Sequence, residues 1–177
     1  LFNSLEMKKI TQQNKKVVVT GGAGFIGSHV VDALIERGYE THVIDNLSGG
    51  KKVNLNSKAI FHKADIRELS VIQPIIKGAK FVFHLAAMPR VQYSIEHPAE
   101  THEANVTGMQ NVLIAAHEGG VQKVVYSASS SAYGGQKIMP LREDMAANPQ
   151  SPYGLHKYVG EIYARVWNTV YGLHTVS

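Results

Sequence analysis

A chain of 177 residues with 44% hydrophobic and 18% charged content is sized for one soluble globular domain. It contains no cysteine, which excludes disulfides, thiolate metal ligands and a cysteine nucleophile, and no apolar run long enough to span a bilayer. The net charge of +4 is modest and no apolar secretory segment stands near the N-terminus, so residence in the cytoplasm is expected.

Lys8, Lys9, Lys15 and Lys16 carry part of the positive charge at and before the first strand. Without interleaved aromatic residues, residues 1–15 read as a solvated lead-in and not as a nucleic-acid arm. Met7 would make a natural start, so residues 1–6 are expected to come from a cloning vector. Neither nucleic acid nor membrane is an expected partner.

From residue 16 onward, short β-rich runs alternate with longer helical patterns. The run Val17-Val18-Val19 marks a first strand over 16–20, followed by a helix over 26–37 that Gly38 closes and a second strand over 40–44. Further strands are expected at 59–62, 81–85 and 123–127, with helices at 68–76 and 99–118. Prolines and polar residues make 139–150 a loop, and Pro152 suits the first turn of a helix that runs to about Tyr171 and ends at Gly172. Residues 173–177 begin another strand. This alternation predicts an α/β, doubly wound parallel sheet, the Rossmann fold, with right-handed crossovers covering both faces.

The segment Thr20-Gly-Gly-Ala-Gly-Phe-Ile-Gly27 falls where the first strand gives way to the first helix. Gly21, Gly24 and Gly27 permit a tight turn, close backbone approach to phosphate and close packing of helix on strand, while the helix N-terminus turns its free N–H groups to the anion. Eighteen residues beyond Gly27 stands Asp45, at the end of the second strand. A carboxylate there accepts hydrogen bonds from the adenosine ribose and repels a 2′-phosphate, which selects NAD over NADP; an Asp before Asn46 can also be a turn former.

Tyr153 and Lys157 lie four apart in the helix that starts at Pro152, so they share a face, and an ammonium beside a phenol favours the phenolate needed by a catalytic base. Tyr133 and Lys137 repeat the spacing, but Gly134 and Gly135 between them oppose a helix. The segment Ser127-Ala-Ser-Ser-Ser-Ala-Tyr-Gly134 gathers hydroxyls at the carboxyl edge of the sheet, where ligands of open α/β sheets bind. Such a hydroxyl can bond a substrate oxygen whose charge changes during reaction, although a serine-rich turn would have the same composition. The nine histidines are scattered, His97 and His102 lack the spacing of a zinc pair, and no metal site is expected. His84 reads as a strand-end residue near the cofactor and His156 as a helix-surface neighbour of Lys157.

Taken together, TGGAGFIG at 20–27, DN at 45–46, DIR at 65–67, HLAA at 84–87, NVTG at 105–108, SSSAYG at 129–134 and SPYGLHK at 151–157 resemble the extended short-chain dehydrogenase/reductase family. Within it the chain is most similar to nucleotide-sugar epimerases, especially UDP-glucose and UDP-N-acetylglucosamine 4-epimerases. The resemblance implies NAD as cofactor. It puts Gly21, Gly24 and Gly27, with the backbone of Phe25 and Ile26, on the pyrophosphate, Asp45 and Asn46 at the adenosine ribose, and Asp65 and Ile66 beside the adenine. It also implies that Leu85, Ala86 and Ala87 line the cofactor channel, that Asn105 supports the site from its helix, and that Lys157 holds the nicotinamide ribose while tuning Tyr153. Ser129, four residues before the Tyr133 of the Tyr-Gly pair, becomes the catalytic hydroxyl, ahead of Ser130 and Ser131.

Family dehydratases carry Asp-Glu after that hydroxyl residue and decarboxylating members a Glu two positions on; Ser130 and Ser131 stand there instead, without the carboxylate that elimination needs. The implied reaction is redox-neutral inversion at C4 of a UDP-hexose or UDP-N-acetylhexosamine. Tyr153 takes the proton of the 4-hydroxyl as the C4 hydride passes to NAD, Ser129 bonds the same oxygen, and the 4-keto sugar turns before the hydride returns. The alternatives are another oxidoreductase of this family or a non-catalytic, dinucleotide-sensing module; Ser129, Tyr153 and Lys157 occurring together favour the enzyme. Relatives continue into a smaller C-terminal substrate domain, so 16–177 is expected to be the NAD-binding domain of a longer protein, inactive alone. A homodimer through the helices at 99–118 and 153–171 is also expected.

Overall fold

The computed structural model describes residues 15–177. Among them, β1 (Lys16–Thr20), β2 (Glu40–Asp45), β3 (Ile60–Lys63), β4 (Phe81–His84), β5 (Lys123–Tyr126) and β6 (Thr175–Val176) form one fully parallel sheet in the order β3-β2-β1-β4-β5-β6. The helices are α1 (Phe25–Glu36), α2 (Leu69–Ile76), α3 (Val91–Glu96), α4 (Pro98–His102), α5 (Gly108–Glu118) and α6 (Pro152–Tyr171).

The winding reverses between β1 and β4: the chain steps from β1 through β2 to β3 on one side, and from β4 through β5 to β6 on the other. Right-handed crossovers therefore put α1 on one face and α5 and α6 on the opposite face. Val17 and Val19 pack with Val31 and Leu34 of α1, while Val18 joins Ile44, Val82 and Val124 under Ile72, Met109, Leu113 and Trp167. A central strand covered on both sides must be apolar at every position, which is why Val17, Val18 and Val19 are all fully buried.

Several boundaries differ from the sequence expectation. The helix expected at 99–118 is divided into α4, a π-helical turn over Glu103–Thr107 and α5, because the turn lets Asn105 reach across to the chain after β4. The short α3, flanked by Pro89 and Pro98, has too few residues to show a helical period. β4 and β5 each end one residue early, and β6 is two residues of the five expected. His156 is not on the helix surface: it is 5% exposed, because the first turns of α6 are clasped by α3, α4 and the π turn.

No helix crosses the Tyr133–Lys137 stretch; Tyr133 instead follows a 3-10 turn over Ser130–Ala132, and Gly134 has a positive φ of 59°. Ser151 caps α6 by accepting the Gly154 N–H, and Gly172 closes it with φ 69°. Apart from exposed Lys15, the expected lead-in lies outside the described residues. No helix among the described residues is long and apolar enough to cross a membrane.

Candidate active site

Because the winding reverses between β1 and β4, the loops leaving their carboxyl ends diverge and open a cleft of about 610 Å³. Gly21 takes φ 74°, gives its N–H to the Ile44 carbonyl at 2.8 Å, and lies so close to Leu85 and Ala86 that a Cβ would overlap their backbone. A Cβ on Gly27 would likewise overlap the Gly21 carbonyl oxygen, so α1 sits directly on the loop. No side chain caps the N-terminus of α1 and no acid stands in its first turn, which leaves the helix field free for an anion.

Thr20, the last residue of β1, locks this loop to β4. Its hydroxyl accepts the Ala86 N–H at 3.2 Å and lies 2.7 Å from His84 Nδ1. The Thr20 hydroxyl and His84 Nδ1 therefore share one hydrogen bond inside the sheet edge, buried away from solvent. Burial, aided by the nearby Lys157 charge, pushes His84 down to about 3. His84 is 1% exposed and stands behind the cleft wall instead of on it.

Asp45 receives the Ala23 N–H at 3.0 Å on Oδ2 and the Leu47 N–H at 2.8 Å on Oδ1. The carboxylate thereby braces the glycine loop while its remaining lone pairs face the cleft. Asn46 donates to Asp65 Oδ2 at 2.8 Å, and Arg67 grips the same carboxylate through Nε at 3.0 Å and Nη2 at 2.7 Å. The Arg67 bonds hold Asp65 down to about 2. Asn105 accepts the Met88 N–H at 2.7 Å and donates to the Met88 carbonyl at 3.1 Å, so it fixes the chain after β4 from behind.

At the other end of the cleft, α6 and the end of β5 meet. The Lys157 ammonium donates to the Ser127 carbonyl at 2.8 Å and lies 5.0 Å from the centre of the Tyr126 ring, which in turn stacks on His84 at 5.7 Å. Burial lowers Lys157 to about 8, so it remains mostly charged at neutral pH. Tyr153, one helical turn earlier, is 9% exposed and lines the cleft with Lys157 and Ser129. Ser129 Oγ accepts the Ser131 N–H at 3.2 Å as the cap of the 3-10 turn, whereas Ser130 and Ser131 do not line the cleft.

Of the site residues expected from sequence, Gly21, Gly24, Phe25, Ile26, Gly27, Asp45, Asn46, Asp65, Ile66, Leu85, Ala86, Ala87, Ser129, Tyr153 and Lys157 all line this one cleft; Asn105 acts only through Met88. Sequence reasoning missed Thr20 and Arg67. Thr20 had a signal, a hydroxyl closing an apolar strand, and Arg67 had one in its spacing from Asp65.

A glycine cradle at the reversal point of a parallel sheet, with an acid at the end of the neighbouring strand, defines a dinucleotide-binding Rossmann domain. Residues 17–177 match the NAD dependent epimerase/dehydratase family, and the chain belongs to that family. It is 44% identical over 159 residues to a Methanocaldococcus jannaschii protein with a provisional UDP-glucose 4-epimerase name, covering 89% of this chain and 52% of that protein. It is similar to the Thermotoga maritima UDP-glucose 4-epimerase solved with UDP-glucose, at 41% identity and TM-score 0.88 over 90% of this chain and 53% of that one. The UDP-N-acetylglucosamine 4-epimerase of Methanobrevibacter ruminantium, solved with UDP-N-acetylmuramic acid, gives 38% identity and TM-score 0.86 over 93% and 54%. The chain spans about half the length of these relatives.

Proposed function

We propose that this chain is the cofactor-binding part of an NAD-dependent epimerase that inverts C4 of a UDP-hexose or UDP-N-acetylhexosamine. The observation that carries the reading is the meeting of Ser129, Tyr153 and Lys157 in the same cleft as the glycine cradle and Asp45. The cradle fits NAD: Gly21 and Gly27 leave no room for a Cβ against the backbone around them, so the loop closes tightly under the uncapped N-terminus of α1. Gly21, Gly24, Gly27 and the backbone of Phe25 and Ile26 would hold the pyrophosphate, Asp45 and Asn46 the adenosine ribose, Asp65 and Ile66 the adenine, and Lys157 the nicotinamide ribose.

NAD supplies a reversible hydride acceptor when bound. Tyr153 Oη receives the proton of the sugar 4-hydroxyl, and Ser129 Oγ hydrogen-bonds the same oxygen as it becomes a carbonyl. Lys157, charged and anchored on Ser127, keeps positive potential beside that oxygen. The 4-keto sugar then presents its other face, and Tyr153 returns the proton as the C4–H bond reforms. Ser130 and Ser131, in place of carboxylates, support epimerisation over elimination. The UDP-sugar would need contacts beyond this chain, which alone is proposed to turn over none. The exposed apolar residues Leu155, Val166 and Val170 on α6 support a homodimer through that helix and α5.

The test is conversion of UDP-glucose to UDP-galactose, and of the N-acetylated pair, by the whole protein in deuterated water, read by proton NMR. Hydride return predicts product without deuterium at C4. Deuterium at C4 would overturn the mechanism, and a folded protein that binds NAD without converting either pair would be a sensor.

A further inference from the structure

Leu155 makes the first helical bond of α6, donating to the Ser151 carbonyl at 3.0 Å, and Pro152 has no N–H, so the first turn leaves the N–H groups of Tyr153 and Gly154 to be satisfied otherwise. Gly154 donates to Ser151 Oγ at 3.1 Å, a local cap. The Tyr153 N–H instead donates to Ser94 Oγ at 3.1 Å, from α3, 59 residues earlier in the chain. Ser94 is fully buried, and its own hydroxyl donates to the Val91 carbonyl at 2.6 Å, which aims the oxygen lone pairs at Tyr153.

We propose that Ser94 is a positioning residue for the reaction site, fixing the backbone of Tyr153 and with it the direction of the phenol relative to Lys157 and Ser129. This rests on the reading of Tyr153 and Lys157 as the reacting end of an NAD site. The six-residue α3 is too short to hold itself, and it directly follows the Met88 wall of the cleft that Asn105 secures. Ser94 thus joins that wall to the start of α6. Only a residue that donates and accepts at one atom can serve, so Thr can replace it and Ala cannot.

The experiment measures affinities of the 177-residue chain for NAD and for ADP by calorimetry, together with hydrogen exchange of the Tyr153 amide by NMR. Ser94→Ala is expected to weaken NAD at least fivefold, leave ADP within twofold, and speed exchange of the Tyr153 amide at least tenfold; Ser94→Thr restores all three. Should Ser94→Ala not fold, Ser94→Cys, of similar size with a weaker acceptor, is judged by the same criteria. Equal loss of both ligands, or unchanged NAD affinity, overturns the proposal. Lys157→Met is measured alongside: a selective NAD loss there but not in the Ser94 variants rejects Ser94 alone. No selective loss in Lys157→Met rejects the underlying site reading, and the proposal with it.

Discussion

The Lys157 ammonium is bound to the Ser127 carbonyl oxygen at 2.8 Å, and this bond ties the helix carrying Tyr153 to the strand end that leads into Ser129, beside the Tyr126 hydroxyl that donates to the Lys157 carbonyl at 3.5 Å. A buried charge thus helps join both sides of the proposed reaction centre.

That charge has a cost with a defined pH window. Burial lowers Lys157 from 10.5 to about 8, so the folded state releases this proton earlier than the unfolded chain does. The cost is fully present below pH 8 and is relieved as pH rises towards 10.5, amounting to about 3 kcal/mol. Denaturant unfolding should show wild type gaining stability relative to Lys157→Met across that interval, while Lys157→Met weakens NAD at all pH values.

Asp45 combines a structural and a selective role. Asp45→Asn can still accept one backbone N–H through its amide oxygen but cannot accept both at once, so the glycine loop loses a brace and stability falls by about 1–2 kcal/mol. With the negative charge gone, the ratio of NADP to NAD affinity should rise at least tenfold, measured by calorimetry.

Two glycines distinguish close packing from backbone conformation. Gly27→Ala drives a Cβ into the Gly21 carbonyl, so NAD affinity should fall at least tenfold with about 1–3 kcal/mol of lost stability. Gly38→Ala has open space around its Cβ but a φ of 78°; it should cost about 1 kcal/mol and leave NAD affinity unchanged.

His156 Nδ1 is buried without a hydrogen-bond partner, and burial, reinforced by His102, lowers its pKa. His156→Leu should therefore stabilise the chain by about 1–2 kcal/mol in thermal or denaturant unfolding. His156 and His84 are both held neutral in the fold and protonate in the unfolded chain, so stability falls as pH drops below 6.5. His156→Leu should flatten part of that loss, while His84 and His62, which burial also lowers, keep their shares.

The strand-helix alternation and the cleft residues were legible because each rests on local pattern: the valine run of β1, the glycine spacing, and the turn between Tyr153 and Lys157. What escaped depends on contacts between distant segments. The π turn at Asn105 follows from Met88, 17 residues away. The burial of His156 follows from packing of α6 against α3 and α4, and a hydrophilic residue beside Lys157 carries no mark of it. Ser94 is one serine in a six-residue helix until Tyr153 is seen above it.

Calorimetric titration of NAD into the 177-residue chain tests most directly the central claim that the glycine cradle, Asp45 and Lys157 form one cofactor site. One NAD per chain, with NADP bound at least tenfold more weakly, is the predicted result. A folded chain that binds no NAD, or that binds NADP equally well, would contradict it.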